Sequence, residues 1–135
     1  MAEKIHVMLV DDQADFVEPI AFWLESKGYS VSIASSGEKA IQIVKEKNPH
    51  IIFLDINMPV MNGIETLRRI REFNQQIPVI MVTAAYAEEN RFFQAQELKT
   101  SGFFPKTGSL EEMHKTIELT LSAHKKLHER EGGST

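Results

Sequence analysis

Hydrophobic residues along this chain fall into short strand-like runs and into longer stretches with helical spacing. The runs cover residues 5–10, 29–34, 51–54, 79–82 and 103–104. Short runs rich in Val, Ile and Phe and bounded by turn residues are typical of strands. The run at 51–54 is apolar at every position, which indicates a strand buried on both faces of a sheet. We therefore predict five strands, of which the third is fully buried.

Between the runs, apolar residues recur every three or four positions, which is the spacing of an amphipathic helix. This spacing predicts five helices: one containing residues 16–24, one at 38–47, one containing 64–70, one at about 87–98, and a long last one after residue 109. Ser36 is expected to cap the second helix, and Ser109 with Glu112 forms a capping box for the last. Gly28 should end the first helix, and Pro19 should bend it by removing a hydrogen bond.

Five units of strand followed by helix predict an α/β protein with a single parallel sheet covered by helices on both faces. Right-handed crossovers leave few strand orders, and the common five-stranded one is 2-1-3-4-5. The expected fold is a doubly wound, flavodoxin-like architecture of three layers. In such sheets ligands bind at the carboxyl ends of the strands, at the switch point between strands 1 and 3.

The net charge and the cysteine content of the chain exclude some kinds of partner and binding site. The 135 residues carry a formal net charge of −4 and contain no cysteine. The negative charge argues against nucleic acid as a partner, and the absence of cysteine excludes disulfides and thiolate metal sites. The first apolar segment is too short for a signal peptide or a membrane span, so we expect a cytoplasmic protein that does not contact membranes. Arg68, Arg69 and Arg71 on the predicted third helix are interpreted as a solvated face.

Polar side chains stand at the ends of four of the predicted strands. Strand 1 ends in Asp11 and Asp12, strand 3 in Asp55, strand 4 in Thr83 and strand 5 in Lys106. Each has an ordinary interpretation when taken alone, as a helix cap, a turn residue, a strand residue or a surface lysine. Because strands 1, 3, 4 and 5 are neighbours in the predicted order, all five side chains should meet at one rim.

The chemistry of such a rim follows from its charges. Three carboxylates at one point repel one another, and protonation or a divalent cation relieves the repulsion. Oxygen ligands favour Mg²⁺, which binds one or two carboxylates together with waters and a phosphate. A carboxylate can also act as a nucleophile and form an acyl phosphate, around which a cation, an ammonium and a hydroxyl are needed. Asp12, Asp55, Lys106 and Thr83 supply that set.

Four segments of the sequence carry a specific resemblance to a known family. They are Val10-Asp11-Asp12, Leu54-Asp55-Ile56-Asn57-Met58-Pro59-Val60-Met61-Asn62-Gly63, Val82-Thr83-Ala84 and Phe103-Phe104-Pro105-Lys106. Over residues 4 to about 125 the chain resembles the receiver domain of bacterial two-component response regulators. Residues 126–135 are interpreted as a helix extension followed by a linker or a cloning scar.

The resemblance implies the roles of the residues at the rim. Asp55 would accept a phosphoryl group from the histidine of a sensor kinase or of a phosphotransfer protein. Asp12, Asp55 and the backbone carbonyl of Asn57 would hold Mg²⁺, and Asp11 would assist through water. Lys106 would contact a phosphoryl oxygen. A domain of this kind promotes its own phosphorylation and dephosphorylation and is not otherwise an enzyme.

The resemblance also implies how the signal leaves the site. Thr83 would move toward the phosphoryl group, and Phe103 would change rotamer as an aromatic switch. The readout is expected on the face formed by the predicted fourth helix, the fifth strand and the last helix. Phe92, Phe93 and Phe104 are expected to be partly exposed there. A downstream protein or a second copy of the chain would bind this face.

Two positions depart from the family pattern. Receivers usually follow the lysine with a proline in a cis bond, whereas Thr107 stands here. A cis bond before a non-proline residue costs about 3–4 kcal/mol, so we predict a trans bond between Lys106 and Thr107. Receivers also usually carry Gly-Ala before the fifth strand, where this chain has Lys99 and Thr100. Both departures fall on the side of the domain that changes on activation.

Two alternative functions were weighed against the receiver. Phosphatases of the haloacid dehalogenase type also combine an Asp nucleophile, Mg²⁺, Thr and Lys. Their nucleophile belongs to an Asp-x-Asp motif after the first strand, which Asp11-Asp12-Gln13 does not supply, and they normally carry a cap domain. The other alternative is a receiver-like scaffold that binds partners without being phosphorylated, and Mg²⁺ binding would distinguish it.

Overall fold

The chain alternates strands with helices in the predicted order. The computed structural model describes residues 4–84 and 94–132. Its strands are β1 (His6–Val10), β2 (Ser30–Ala34), β3 (Ile51–Asp55), β4 (Val79–Thr83) and β5 (Gly102–Pro105). Its long helices are α1 (Ala14–Ser26), α2 (Gly37–Lys47), α3 (Gly63–Phe73) and the last helix, α4 (Leu110–Gly132). Residues 94–97 are helical, and the rest of the helix predicted at 87–98 lies mostly outside the described residues.

The five strands form one parallel sheet in the order β2-β1-β3-β4-β5. Val10 at the end of β1 pairs with Leu54, and Asp55 at the end of β3 pairs with Val82. The carboxyl ends of these neighbouring strands therefore lie along one edge, and the order reverses between β1 and β3. The predicted α/β class, flavodoxin-like architecture and strand order are confirmed.

The core has two layers because side chains alternate across the sheet. Val7 and Leu9 of β1 pack in the layer that contains the inner faces of α1 and α4. Met8 and Val10 pack in the layer that contains the inner faces of α2 and α3. Every residue of β3 is buried, as its unbroken apolar run predicts. The rigid, doubly covered centre of the sheet thus carries the residue at its end, Asp55.

The predicted helix boundaries are largely confirmed. The hydroxyl of Ser36 accepts a hydrogen bond from the backbone N–H of Lys39 at 3.2 Å. Ser109 and Glu112 form the reciprocal capping box, with distances of 3.0 and 3.2 Å. Gly28 follows α1 with a φ of +99°, which few other residues tolerate. Within residues 4–84 and 94–132, no helix has the length and apolar character needed to cross a membrane.

Arg71 does not lie on a solvated face, and that interpretation of the sequence is wrong for this residue. Only 7% of Arg71 is exposed. Its Nε donates to the carbonyl of Leu98 at 2.8 Å, and its two terminal nitrogens donate to the carbonyls of Asn74 and Lys99 at 3.1 and 3.2 Å. Arg71 is buried because it stands one helical turn after the buried Leu67, on the inner side of α3. It therefore ties α3 to the chain that leads into β5.

This contact explains how Lys99 and Thr100 replace the residues usual in the family. Lys99 has a φ of +61°, in the left-handed region that favours glycine. The cost of that conformation is offset by the hydrogen bond from Arg71 to the Lys99 carbonyl. The hydroxyl of Thr100 also contacts the carbonyls of Val79 and Gly102, at 2.8 and 3.2 Å. The entry to β5 thus keeps a left-handed turn without glycine.

We predict that Arg71→Leu lowers the free energy of unfolding by about 2–4 kcal/mol, because three carbonyls lose their donor. Urea denaturation followed by circular dichroism measures the change. Arg68→Leu is the matched control on the same helix, since Arg68 is exposed and forms an ion pair with Glu65 at the surface. It should change stability by less than about 0.5 kcal/mol. Equal effects of the two substitutions would contradict the role given to Arg71.

Candidate functional site

Three acidic side chains converge at the carboxyl ends of β1 and β3. Asp11 and Asp12 follow β1 directly, and Asp55 is the last residue of β3. One carboxylate oxygen from each lies within 4.8 Å of the others. Asp11 and Asp55 are only 3% and 1% exposed, whereas Asp12 is exposed. The site is therefore an open rim whose floor is made of two buried carboxylates.

The turn after β3 is built to pass closely under Asp55. A Cβ atom at Gly63 would collide with the backbone of Asp55 and Ile56, so this position requires glycine. The N–H of Gly63 donates to the carbonyl of Ile56 at 2.9 Å. The side chain of Asn62 then caps α3 by accepting from the N–H of Glu65 at 2.9 Å. The Asn-Gly pair thus returns the chain to the backbone of Asp55 and Ile56 at the end of β3.

The two buried carboxylates each have one occupied and one open oxygen. Asp55 Oδ1 accepts the N–H of Asn57 at 3.3 Å, and Asp11 Oδ1 accepts the N–H of Gln13 at 2.9 Å. Among the described residues, neither Asp11 Oδ2 nor Asp55 Oδ2 has a partner with hydrogen-bond geometry. Lys106 Nζ approaches them, at 3.0 Å from Asp11 Oδ2 and 3.4 Å from Asp55 Oδ2. Two buried oxygens therefore retain the capacity to bind a ligand.

Electrostatics at the rim follow from this packing. Burial raises the pKa of Asp55, the nearby charge of Asp11 raises it further, and Lys106 offsets part of the rise. Burial by itself would lower the pKa of Lys106, but its contacts with Asp11 and Asp55 outweigh that effect and raise it. The lysine is thus an ammonium at neutral pH, shared between two carboxylates that would otherwise repel each other.

Lys106 reaches the acids from β5 along a regular path. It follows the last residue of β5, and its N–H donates to the carbonyl of Thr83 at 2.9 Å. No cis peptide bond occurs in the described part of the chain. The predicted trans bond between Lys106 and Thr107 is therefore confirmed. The replacement of the usual proline by Thr107 does not prevent Lys106 from reaching the rim.

Thr83 and Phe103 lie on a different side of the sheet from the acids. Phe103 pairs with Met81 of β4 and packs, partly buried, against the layer that contains α2 and α3. Thr83 is half-buried, and alternation along β4 places it on the same side as Met81. Asp55 instead continues the side of Phe53, toward α1 and α4. The structure brings Thr83 to the rim as the last residue of β4, next to Phe103 in the adjacent strand.

The predicted output face receives one correction. Phe104 was expected to be partly exposed, but only 4% of it is, and its ring packs edge-on against Phe53 with centroids 6.0 Å apart. Alternation explains the difference, because Phe104 points to the opposite side of β5 from Phe103. Phe92 and Phe93 lie outside the described residues. Phe103 is half-buried and packs against the layer that contains α2 and α3.

Sequence reasoning missed two residues of the site. The side-chain oxygen of Gln13 accepts a hydrogen bond from Lys106 Nζ at 3.0 Å. The ring of Phe16 lies beneath the same ammonium, with 4.9 Å between Nζ and the ring centroid. Phe16 was assigned only to the core face of α1. The signal that could have identified Gln13 is its residue type, since a residue just before a helix is usually Ser, Thr, Asp or Asn.

The residues present fit Mg²⁺. Their ligand atoms are all oxygens, the preferred ligands of a hard cation. The two buried carboxylates share the ammonium of Lys106, so a cation beside them would offset the remaining negative charge. Asp12 adds a third carboxylate from the exposed side. Asn57 is exposed at the mouth of the rim, where its N–H contacts Asp55.

A five-stranded sheet of order 2-1-3-4-5, with an acid cluster and a lysine at its carboxyl edge, defines the class of CheY-like signalling domains. Comparison with known families identifies the particular one. The response regulator receiver domain matches residues 7–118, and the chain belongs to that family.

Individual relatives agree with this assignment. The chain is 32% identical over 127 residues to the transcriptional regulatory protein ZraR of Klebsiella oxytoca, a match that covers 94% of this chain and 28% of ZraR. It is 35% identical over 82 residues to the uncharacterized transcriptional regulatory protein YkoG of Bacillus subtilis, covering 61% of this chain and 36% of YkoG. The chain thus spans about a third of the length of these relatives or less.

Solved structures show the same fold. A receiver domain protein from Methanospirillum hungatei, described as CheY-like, superposes with a TM-score of 0.87 at 22% identity, covering 92% of this chain and 98% of that one. The chemotaxis protein CheY4 of Vibrio cholerae, crystallized at low pH, superposes with a TM-score of 0.79 at 25% identity, covering 87% and 99%.

We predict that Asp55→Asn raises the free energy of unfolding at pH 7 in the presence of EDTA. The pKa of Asp55 is higher in the folded than in the unfolded state, so the folded state disfavours the ionised form. The gain in stability from replacing the ionised Asp55 with asparagine should be complete at neutral pH. It should shrink as the pH falls through the folded-state pKa, because the wild-type carboxyl is then protonated. The melting temperature is expected to rise by a few degrees. An increase of about 1 kcal/mol in the free energy of unfolding produces a rise of that size in a domain of this length.

Asp15→Asn is the control for this measurement. Asp15 is an exposed carboxylate in the first turn of α1, where its negative charge interacts favourably with the helix dipole. Its removal should lower stability slightly, in the opposite direction to Asp55→Asn. Adding Mg²⁺ should reduce the difference between wild type and Asp55→Asn, because a cation that binds the wild-type carboxylate stabilises the folded state. A lower stability of Asp55→Asn at pH 7 in EDTA would contradict the electrostatic account.

Proposed function

We propose that this chain is a phosphorylation-dependent switch of a two-component system, in which Asp55 is the phosphoryl acceptor. The observation that carries the proposal is the state of the Asp55 carboxylate. It is buried at the end of the central strand, and one oxygen is fixed by the N–H of Asn57. The other oxygen has no partner with hydrogen-bond geometry in the described chain, and it lies 3.4 Å from an ammonium.

This geometry suits nucleophilic attack on phosphorus. Asp55 Oδ2 forms the new bond to phosphorus, and the bond between phosphorus and the donor atom breaks, so that the donor leaves with its electron pair. The N–H of Asn57 keeps Oδ1 turned away from the reaction. Lys106 is close enough to neutralise charge on the transferred group after a small displacement. Thr83, at the end of the adjacent strand, supplies the hydroxyl on the other side.

Asp11, Asp12, Asp55 and the backbone of Asn57 would hold Mg²⁺ beside the acceptor. When bound, the cation neutralises negative charge on the phosphoryl oxygens and the carboxylates. Asp12 is exposed and can take part without further desolvation, whereas Asp11 already pairs with Lys106. The chain's own contribution is therefore to hold the acceptor oxygen, the ammonium and the ligand oxygens in fixed positions around one point.

The partners follow from the same proposal. A histidine phosphorylated on a sensor kinase or a phosphotransfer protein would be the donor. Because the matched relatives are much longer than this chain, the receiver region would control either an attached output domain or a separate protein. We place the boundary of the receiver domain near residue 125, with 126–135 as a helix extension and linker. The family match ends at residue 118.

We predict that acetyl phosphate modifies the protein on Asp55 only when Mg²⁺ is present. The arrangement of charges supplies the stabilisation needed for slow transfer, so no kinase is required. Intact-mass spectrometry should show one added phosphoryl group in wild type and none in Asp55→Asn or in EDTA. Asp15→Asn should be modified as wild type is. Modification that persists in Asp55→Asn would refute the assignment, and no modification of wild type would favour a receiver-like scaffold.

We further propose that the signal emerges beside Thr83 and Phe103. A phosphoryl group adds about 1.5–2 negative charges at the rim, and Thr83, the last residue of the adjacent strand, offers a hydroxyl donor. Movement of Thr83 toward the group leaves space beside it. The Phe103 ring, on the neighbouring strand and only partly buried, can enter that space. Such a change is a shift between two packings that only the phosphorylated state favours.

We predict that the phosphoryl mimic beryllofluoride shifts amide signals of β5 and α4 in wild type, beyond the residues of the rim. In Thr83→Ala the shifts should stay near Asp55, because the hydroxyl that transmits the change is missing. Thr83→Ser keeps the hydroxyl and should retain the wide pattern in nuclear magnetic resonance spectra. Identical patterns in Thr83→Ala and wild type would show that the signal does not pass through Thr83.

A further inference from the structure

Gln13 has an unusual place in the fold. It is the residue that precedes α1, in extended conformation, and its carbonyl accepts the N–H groups of Phe16 and Val17. A short polar side chain at this position normally bonds a free N–H of the first turn and stabilises the helix. The side chain of Gln13 makes no such bond. The preference of a helix for a capping side chain is thus not satisfied at this position. Such a departure often marks a position used for function.

The side chain of Gln13 contacts Lys106 instead. Its amide oxygen accepts a hydrogen bond from Lys106 Nζ at 3.0 Å, across 93 positions of sequence. The same ammonium lies 3.0 Å from Asp11 Oδ2 but 3.4 Å from Asp55 Oδ2, and its other side faces the ring of Phe16. Gln13, Asp11 and Phe16 all belong to the segment around the end of β1 and the start of α1. Their contacts therefore hold the ammonium on the β1 side of the site.

We propose that Gln13 is a positioning residue that holds Lys106 on the Asp11 side before phosphorylation and thereby slows phosphoryl transfer to Asp55. This inference rests on the proposed function. A phosphoryl group on Asp55 takes Lys106 as a partner, so the ammonium must leave the Gln13 oxygen as charge develops. The hydrogen bond to Gln13 stabilises the state before transfer and is weakened during transfer. It therefore adds to the activation barrier.

The chemistry of an amide suits this role. A neutral carbonyl oxygen fixes the direction of the ammonium without cancelling its charge, so Lys106 remains available to the phosphoryl group. A carboxylate at position 13 would hold the lysine more strongly, because hydrogen bonds between charged partners are about twice as strong. An aliphatic side chain of similar length would not hold it at all. The rate of phosphorylation is thus expected to be highest with Leu at position 13, intermediate with Gln and lowest with Glu.

The test measures the rate constant for phosphorylation at saturating acetyl phosphate and Mg²⁺, by intact-mass spectrometry. Gln13→Leu should raise the rate constant about three- to tenfold, the effect expected when one hydrogen bond is lost only from the ground state. Gln13→Glu should lower it below wild type. The acetyl phosphate concentration that gives half-maximal rate should change by less than about twofold, because Gln13 contacts Lys106 and not the phosphodonor.

Gln13→Asn separates positioning from a structural role. Its shorter amide can cap α1, so it should raise the melting temperature, but it is too short to reach Lys106. It should therefore increase both stability and rate. Gln13→Leu should increase the rate without the gain in stability. Rates that follow stability across the two variants would overturn the proposal, since both effects would then arise from the helix.

A double-mutant cycle identifies Lys106 as the residue through which Gln13 acts. In the Lys106→Ala background, Gln13→Leu should have no effect on the residual rate. An equal acceleration in both backgrounds, or no acceleration in the wild-type background, would overturn the inference while leaving Asp55 as the acceptor. Failure of wild type to be phosphorylated at all would instead refute the proposed function, and this inference with it.

Discussion

The ion pairs that Lys106 forms with two buried carboxylates are the interaction on which the rest of the site depends. Asp11 and Asp55 are nearly excluded from water and lie close together, so their charges repel each other, and Lys106 offsets part of that repulsion. Lys106 comes from the far end of the sequence, and only the parallel pairing of β5 with β4 brings it to this edge. The fold therefore places the ammonium where it offsets the charge of both buried carboxylates.

The sequence predicted the fold and the meeting of Asp11, Asp12, Asp55 and Lys106 at one edge, because both depend on strong local patterns. Apolar runs define the strands, and the handedness of crossovers leaves few strand orders, so the ends of β1, β3, β4 and β5 had to meet. The contacts of Arg71 and Gln13 could not be predicted in this way. Both are long side chains whose partners, Leu98 and Lys106, lie far away in the sequence, and helical spacing says nothing about such partners. Phe104 was misplaced because strand alternation was not applied to β5.

The two departures from the family pattern lie at opposite ends of β5. The departure before β5 has physical compensations, whereas Thr107 after β5 needs none, because its backbone is in an ordinary state. Lys99 occupies a left-handed conformation at a cost, and Arg71 and Thr100 hold the surrounding carbonyls. Thr107 sits on a trans bond that is the ordinary state of a non-proline residue. The two departures are therefore independent of each other. Neither moves Lys106 away from the acids, which is why the site is preserved although its surroundings have changed.

The two layers of the core hold different parts of the proposed switch. Asp55 lies on the side of α1 and α4 with the charges that govern its chemistry, whereas Phe103 packs on the side of α2 and α3. Thr83 ends β4 on the same side as Phe103 but beside the rim, because β4 is the neighbour of β3. The end of β4 thus lies between Asp55 and β5 in the sheet. The strand order that brings the acids and Lys106 to one edge therefore also places Thr83 between Asp55 and the strand that carries Phe103.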